Sequence, residues 1–131
     1  MTLRCLIVDD NRRFLKAASD LLEQEGINVV GAASTSADAL RDIDELRPDV
    51  ALVDIELGSE SGFDLVPLVV RGTGGSTSVI VISNHAERDF LELIEASGAI
   101  GFLPKSSLSA KEIRAVLAGA GDDGANAPPE R

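Results

Sequence analysis

The 131-residue chain has no tryptophan and no tyrosine, and its aromatic content is four phenylalanines, Phe14, Phe63, Phe90 and Phe102. It therefore offers no array of side chains on which bases could stack, and its core must be aliphatic. Positive charge is scarce as well: twelve Lys and Arg stand against twenty-two Asp and Glu, a formal charge of −10. That sign repels a phosphate backbone, so no direct nucleic-acid binding by this chain is expected. One cysteine, Cys5, cannot close an intramolecular disulfide, and its place in an apolar run suits a small packing residue. With a single histidine, His85, beside it, the inventory is too poor for a zinc site. Wholly apolar stretches such as Leu65 to Val70 fall far short of a membrane span, and nothing after Met1 resembles a signal peptide. No membrane partner and a cytoplasmic setting are the resulting expectations. What remains is 44% hydrophobic and 26% charged, the balance of one ordinary globular domain.

Short β-branched apolar runs alternate with helical periodicity five times: Leu3 to Val8, Ile27 to Ala32, Val50 to Val53, Val79 to Ile82 and Ile100 to Leu103. Runs so continuously apolar suit strands buried on both faces, which makes the fold class α/β, a parallel sheet covered by helices. A first helix, about Arg12 to Glu25, places Phe14, Leu15, Ala18, Leu21 and Leu22 on one stripe and stops at Gly26. A second runs from Ser36 to Leu46, before Pro48. The third, near Phe63 to Arg71, contains Pro67, acceptable only in a first turn, where N–H groups lack helical partners. The fourth spans about Ala86 to Ser97, and the fifth opens at Ser109 with Glu112 three residues on, a capping box. The domain is read as residues 1–120. From Gly121 to Arg131 periodicity disappears, and the segment reads as a flexible tail or the start of a linker.

Polar residues at the strand ends carry the chemistry. In an open doubly wound sheet, ligands bind outside the carboxyl ends of the strands. Asp9 and Asp10 follow the first strand, Asp54 the third, Ser83 the fourth and Lys105 the fifth, so all five converge on one edge. Three crowded carboxylates raise one another's pKa unless a cation and a lysine offset the charge, and an all-oxygen donor set points to Mg²⁺. Singly, each has an ordinary reading: an N-cap for the aspartate pair, a loop acid for Asp54, a turn residue for Ser83, a solvated charge for Lys105. Their joint placement at four strand ends argues against coincidence.

These residues resemble a bacterial response-regulator receiver domain from Leu3 to about Ala120. The resemblance lies in Val8-Asp9-Asp10-Asn11, in Leu52-Val53-Asp54-Ile55, in Gly62 eight positions later, in Ser83, and in Phe102 three before Lys105. Separations of 44 (Asp10 to Asp54), 29 (Asp54 to Ser83) and 22 (Ser83 to Lys105) are in keeping with that family. It implies a flavodoxin-like five-stranded sheet in the order 2-1-3-4-5 with five helices. It implies that Asp54 accepts a phosphoryl group from a histidine kinase, with Lys105 and Ser83 stabilising the transferred charge. Asp9, Asp10, Asp54 and the backbone carbonyl of Glu56 would hold Mg²⁺. Phe102 would occupy the aromatic switch position beside Ser83, against the alternative of a plain core residue, and Glu56 and His85 would flank the site. Output would run through the face of the fourth helix, fifth strand and fifth helix.

Two departures stand out. The loop Glu56-Leu57-Gly58-Ser59-Glu60-Ser61-Gly62 lacks the proline often found four residues after the aspartate, and Pro104 precedes Lys105 instead of following it, so a trans Lys105–Ser106 bond is expected. The rival readings are a Mg²⁺-dependent aspartyl-phosphate phosphatase of haloacid-dehalogenase type, or an interaction domain without phosphorylation. Gly72 to Thr77 lacks the lysine of a P-loop and reads as a surface loop. Further expected partners are a downstream protein or a DNA-binding effector domain of the helix-turn-helix type, and a phosphorylation-dependent homodimer. The start at Met1 and the short tail favour a natural single-domain regulator over a chain cut within a linker.

Overall fold

A computed structural model describes residues 2–126. In chain order its elements are β1 (Arg4–Val8), α1 (Arg12–Gln24), β2 (Asn28–Ala33), α2 (Ser36–Leu46), β3 (Val50–Asp54), the short β4 (Glu56–Leu57) and β5 (Glu60–Ser61), and α3 (Gly62–Thr73). β6 (Ser78–Ser83), α4 (Leu91–Ser97), β7 (Gly101–Pro104) and α5 (Ala110–Asn126) follow, with single 3₁₀ turns at Glu87–Asp89 and Lys105–Ser107. The main sheet has the order β2-β1-β3-β6-β7, all parallel, which is 2-1-3-4-5 counted over its own five strands. The expected flavodoxin-like architecture is therefore present, with every main strand bounded within a residue of its apolar run.

Strand alternation divides the apolar interior in two. Leu6, Val8, Ala51, Val53, Val79, Val81 and Phe102 pack with α2, α3 and α4 on one face. Cys5, Ile7, Val50, Leu52, Ile80, Ile82 and Leu103 pack with α1 and α5 on the other. Register then aligns the strand ends: Val8 lies opposite Val53, Asp54 opposite Ile82, and Ser83 opposite Pro104. Residues that follow or finish these strands emerge together at the carboxyl edge.

Local signals explain most helix ends. Asn11 caps α1 by accepting from the N–H groups of Arg13 and Phe14. At its C-terminus Gly26, at φ 93°, permits a double closure: Gly26 N–H donates to Glu23 O at 3.1 Å and Ile27 N–H to Leu22 O at 3.0 Å. Buried Ile27 and Leu22 seal that turn. Ser109 accepts from Glu112 N–H at 3.1 Å, as its spacing predicts.

Four expectations need correction. Pro67 is the sixth residue of α3, in its interior. Its ring forfeits the N–H that would have reached Phe63 O, and the helix continues because Leu65, Val66 and Val69 are fully packed around it. The fourth helix is split: Glu87–Asp89 forms a 3₁₀ turn, Phe90 departs from helical geometry, and α4 proper starts at Leu91. Leu21 belongs to the rim of the α1 stripe and is 38% exposed, while Leu15, Ala18 and Leu22 are buried. Finally, α5 runs on to Asn126, past Gly119 where apolar periodicity stops; the last five residues of the expected tail, 127–131, lie outside the described residues. Among the described residues there is no cis peptide bond, so Lys105–Ser106 is trans, and no helix is long and apolar enough to cross a membrane.

Candidate functional site

β1, β3 and β7 end around an open depression of about 590 Å³, lined by Asp9, Asp10, Asn11, Asp54, Glu56, Asn84 and Lys105 and by the Gly58–Ser61 part of the loop after β3. Asp9 is fully buried, Asp54 is 5% exposed, and Asp10 faces solvent. One carboxylate oxygen from each of the three can be chosen so that all lie within 4.8 Å of one another.

Lys105 reaches over from beyond β7 to answer this charge. Its Nζ lies 2.6 Å from Asp9 Oδ2 and 3.1 Å from Asp54 Oδ2. The same ammonium sits 4.6 Å from the centre of the Phe14 ring. Backbone donors take the other oxygens: Asn11 N–H donates to Asp9 Oδ1 at 2.9 Å, and Glu56 N–H to Asp54 Oδ1 at 3.1 Å. Asp9 Oδ2 is wholly buried and meets no donor besides this ammonium, whose close approach is off the best hydrogen-bonding direction.

Burial pushes the Asp54 carboxyl from 3.8 up to about 6, with the charge of Asp9 adding to the rise and Glu56 N–H and Lys105 opposing it. For Lys105, burial acts to lower the pKa, and the hydrogen bonds and charges of Asp9 and Asp54 outweigh it, so the net shift is upward. Three carboxyl groups share the pocket with one ammonium, so its formal charge is negative. A buried carboxylate oxygen met only by Lys105, an oxygen-only donor set and that residual charge fit a hard divalent cation such as Mg²⁺, so the cluster could hold one.

The loop after Asp54, which lacks that proline, is a tight antiparallel ladder: Glu56 pairs with Ser61 and Leu57 with Glu60, turning through Gly58 at φ 61°. It is anchored at both ends. Glu60 Oε1 accepts from the first N–H of α2, at Ser36 (3.0 Å), and Gly62 N–H donates to Ile55 O at 2.9 Å. Gly62 approaches so closely that a Cβ there would fall on the Asp54 carbonyl oxygen.

Ser83, Phe102 and His85 sit just outside the depression, and Glu56 lies on its rim. Ser83 is 1% exposed at the end of β6, and its Oγ accepts from His85 N–H at 2.9 Å. Phe102 is 7% exposed and packs with the α3–α4 side of the core. The side chains of His85 and Glu56 approach across the rim, Nε2 to Oε2 3.8 Å, and His85 meets the edge of Phe90 at 5.9 Å between ring centres. Sequence reasoning did not single out Asn84, which lines the depression, the hydrogen bonds that Asn11 makes to Asp9 and Phe14, or the Phe14 ring beneath the Lys105 ammonium. Asn11 carried a signal, a side-chain acceptor immediately before a helix; Phe14 read only as part of an apolar stripe.

Fold and pocket together define a doubly wound α/β domain with an acidic centre at the carboxyl edge of its sheet. A family model described as the response regulator receiver domain matches residues 5–118. The chain belongs to that family, whose members act in two-component signalling and typically use Mg²⁺ and phosphorylation. This membership displaces the haloacid-dehalogenase alternative.

Among curated relatives, the protein-glutamate methylesterase/protein-glutamine glutaminase of Nocardioides sp. is 36% identical over 106 residues, 79% of this chain and 29% of that protein. The uncharacterized transcriptional regulatory protein YvfU of Bacillus subtilis is 33% identical over 104 residues, 79% of this chain and 52% of its own. The chain thus spans about half or less of these relatives. The solved signal receiver domain of the response regulator NarL from Mycobacterium tuberculosis is 33% identical with a TM-score of 0.78, covering 92% of this chain and 97% of that one. A LuxR-family response regulator from Aurantimonas sp. gives 25% identity and a TM-score of 0.80, covering 93% and 87%.

Proposed function

We propose that Asp54 is the phosphoacceptor of this receiver and that it takes its phosphoryl group from a histidine kinase in a Mg²⁺-dependent reaction. The observation that carries this reading is the placement of a nearly buried Asp54 carboxylate, 3.1 Å from Lys105 Nζ and grouped with Asp9 and Asp10. Asp54, ionised, attacks the phosphorus of a phosphohistidine; the P–N bond breaks, its electron pair stays on the imidazole nitrogen, and an acyl phosphate forms. Lys105, already aimed between Asp9 and Asp54, pairs with phosphoryl oxygen as negative charge builds there. The Ser83 hydroxyl spends its oxygen on His85 N–H, which leaves its own O–H proton to donate to a phosphoryl oxygen. Asp9, Asp10, Asp54 and the Glu56 carbonyl would hold the Mg²⁺, which supplies neutralising charge for the approach of two anions.

Output follows from Phe102 and α4. Once Ser83 turns to the phosphoryl group, the Phe102 ring and the α4 surface can adopt a second packing, which a downstream protein, a linked effector domain or a second copy reads. The receiver unit takes in residues 1–120, from which α5 runs on as far as Asn126, and the chain works in the cytoplasm without binding nucleic acid itself. Intact-mass measurement after incubation with a small phosphodonor and Mg²⁺ tests the reading: one phosphoryl group is expected on the wild type and none on Asp54→Asn. Labelling undiminished in Asp54→Asn overturns it, and an unlabelled wild type restores the phosphorylation-inactive interaction domain.

A further inference from the structure

Lys105 has an unusual task. Its stem starts beyond β7, at one edge of the sheet, yet its ammonium lies between the carboxylates that follow β1 and end β3, with β6 in between. Neighbouring strands are about 4.8 Å apart, so the stem must extend inward past the end of β6 to bring its ammonium to the ends of β1 and β3. Lysine carries some of the largest rotamer freedom of any side chain, and two carboxylates alone leave one ammonium N–H and the flank of the chain unrestrained.

We propose that Phe14 is the positioning residue for Lys105: its ring face holds the ammonium in the place where it meets both Asp54 and an incoming phosphoryl group. The distance of 4.6 Å from Nζ to the ring centre is that of a cation–π contact. Phe14 is itself tied to the acidic centre. Asp9 Oδ1 accepts from Asn11 N–H (2.9 Å), Asn11 Oδ1 accepts from Phe14 N–H (3.2 Å), the Phe14 ring carries Lys105, and Lys105 returns to Asp9 (2.6 Å). This closed circuit fixes the ring relative to the carboxylates, and the ring is half-buried against the α1–α5 side of the core. The ring attracts the ammonium without adding negative charge, so it orients Lys105 and leaves its charge for the phosphoryl oxygens. A third carboxylate in the same place would compete with them. The consequence for rate rests on the proposed phosphoryl transfer; the contact itself does not.

The test compares wild type with Phe14→Leu, which keeps apolar bulk and loses the π face, and Phe14→Tyr, which keeps the ring, each confirmed as folded by its amide spectrum. In the metal-free protein the Lys105 Hε protons are expected upfield through the ring current in wild type and Phe14→Tyr, and at ordinary lysine positions in Phe14→Leu. Phosphorylation by a small phosphodonor is expected to slow about fivefold in Phe14→Leu, from the loss of a contact of ordinary cation–π strength, with Mg²⁺ affinity unchanged and the rate restored in Phe14→Tyr. Wild-type Lys105 protons without an upfield shift overturn the proposal, as do a Phe14→Leu rate equal to wild type or an equal loss in both variants. A wild type that takes no phosphoryl group refutes the functional reading alone; the Lys105 resonances then decide the role of Phe14.

Discussion

Asp54→Asn is expected to make the metal-free protein more stable at neutral pH. The wild-type carboxyl is raised from 3.8 in the unfolded chain to about 6 in the fold, chiefly by burial. Two pH units at about 1.4 kcal/mol each mean that holding Asp54 ionised costs the fold about 3 kcal/mol above pH 6. Below the unfolded value Asp54 is protonated in both states and the cost is absent. Between the two values the unfolded chain ionises first, so wild-type stability falls as pH rises and levels off above 6. Asparagine removes this slope, but its one carbonyl oxygen cannot accept from both Glu56 N–H and Lys105, which offsets part of the gain. A net advantage of about 1–2 kcal/mol remains at neutral pH, closing or reversing toward pH 4. Urea denaturation in chelator, followed by far-UV circular dichroism because the chain lacks Trp and Tyr, measures it across that range. Mg²⁺ at about a hundred times its dissociation constant should restore about 2.7 kcal/mol to wild type, and less to the variant. A variant less stable than wild type at neutral pH without metal, or a gap indifferent to pH, refutes the reasoning.

Gly62→Ala should cost several kcal/mol, because its Cβ falls on the Asp54 carbonyl oxygen, a backbone atom unable to yield; an unchanged urea midpoint would contradict this. Asp10→Ala should weaken Mg²⁺ binding about tenfold or more by calorimetry, since the exposed Asp10 supplies both a ligand and attraction, and equal affinities would exclude it from the site. A non-hydrolysable phosphoryl mimic with Mg²⁺ should move amide resonances from Ser83 through Phe102 into α4; shifts confined to Asp10, Asp54 and Lys105 would show that phosphoryl binding is not transmitted.

The strands were legible because both faces of the sheet are buried, which leaves a nearly unbroken apolar run for each. The site was legible because the doubly wound rule turns strand ends into neighbours, so Asp9, Asp54 and Lys105 could be grouped from positions far apart in the chain. What escaped depends on contacts that no local pattern records. The β4–β5 ladder is held by Glu60 reaching α2 and by Gly62 seated on the backbone of β3. Pro67 is tolerated inside α3 because core packing outweighs one lost helical bond. Phe14 fell on an apolar stripe, and only tertiary structure puts a lysine over its ring.

The separation of the interior into two apolar compartments also shapes how this protein can change. Phe102 and Leu103, adjacent in β7, belong to different compartments. A repacking around Phe102, Ile94 and Val69 therefore meets Leu103, Ile113 and Leu22 only through the backbone of the sheet. Paired substitutions within one compartment should be epistatic, whereas pairs split across the sheet should add. The α4 side is then free to drift toward new partners by compensating changes among its own residues, while the Lys105, Phe14 and Asp9 circuit on the far side keeps its register.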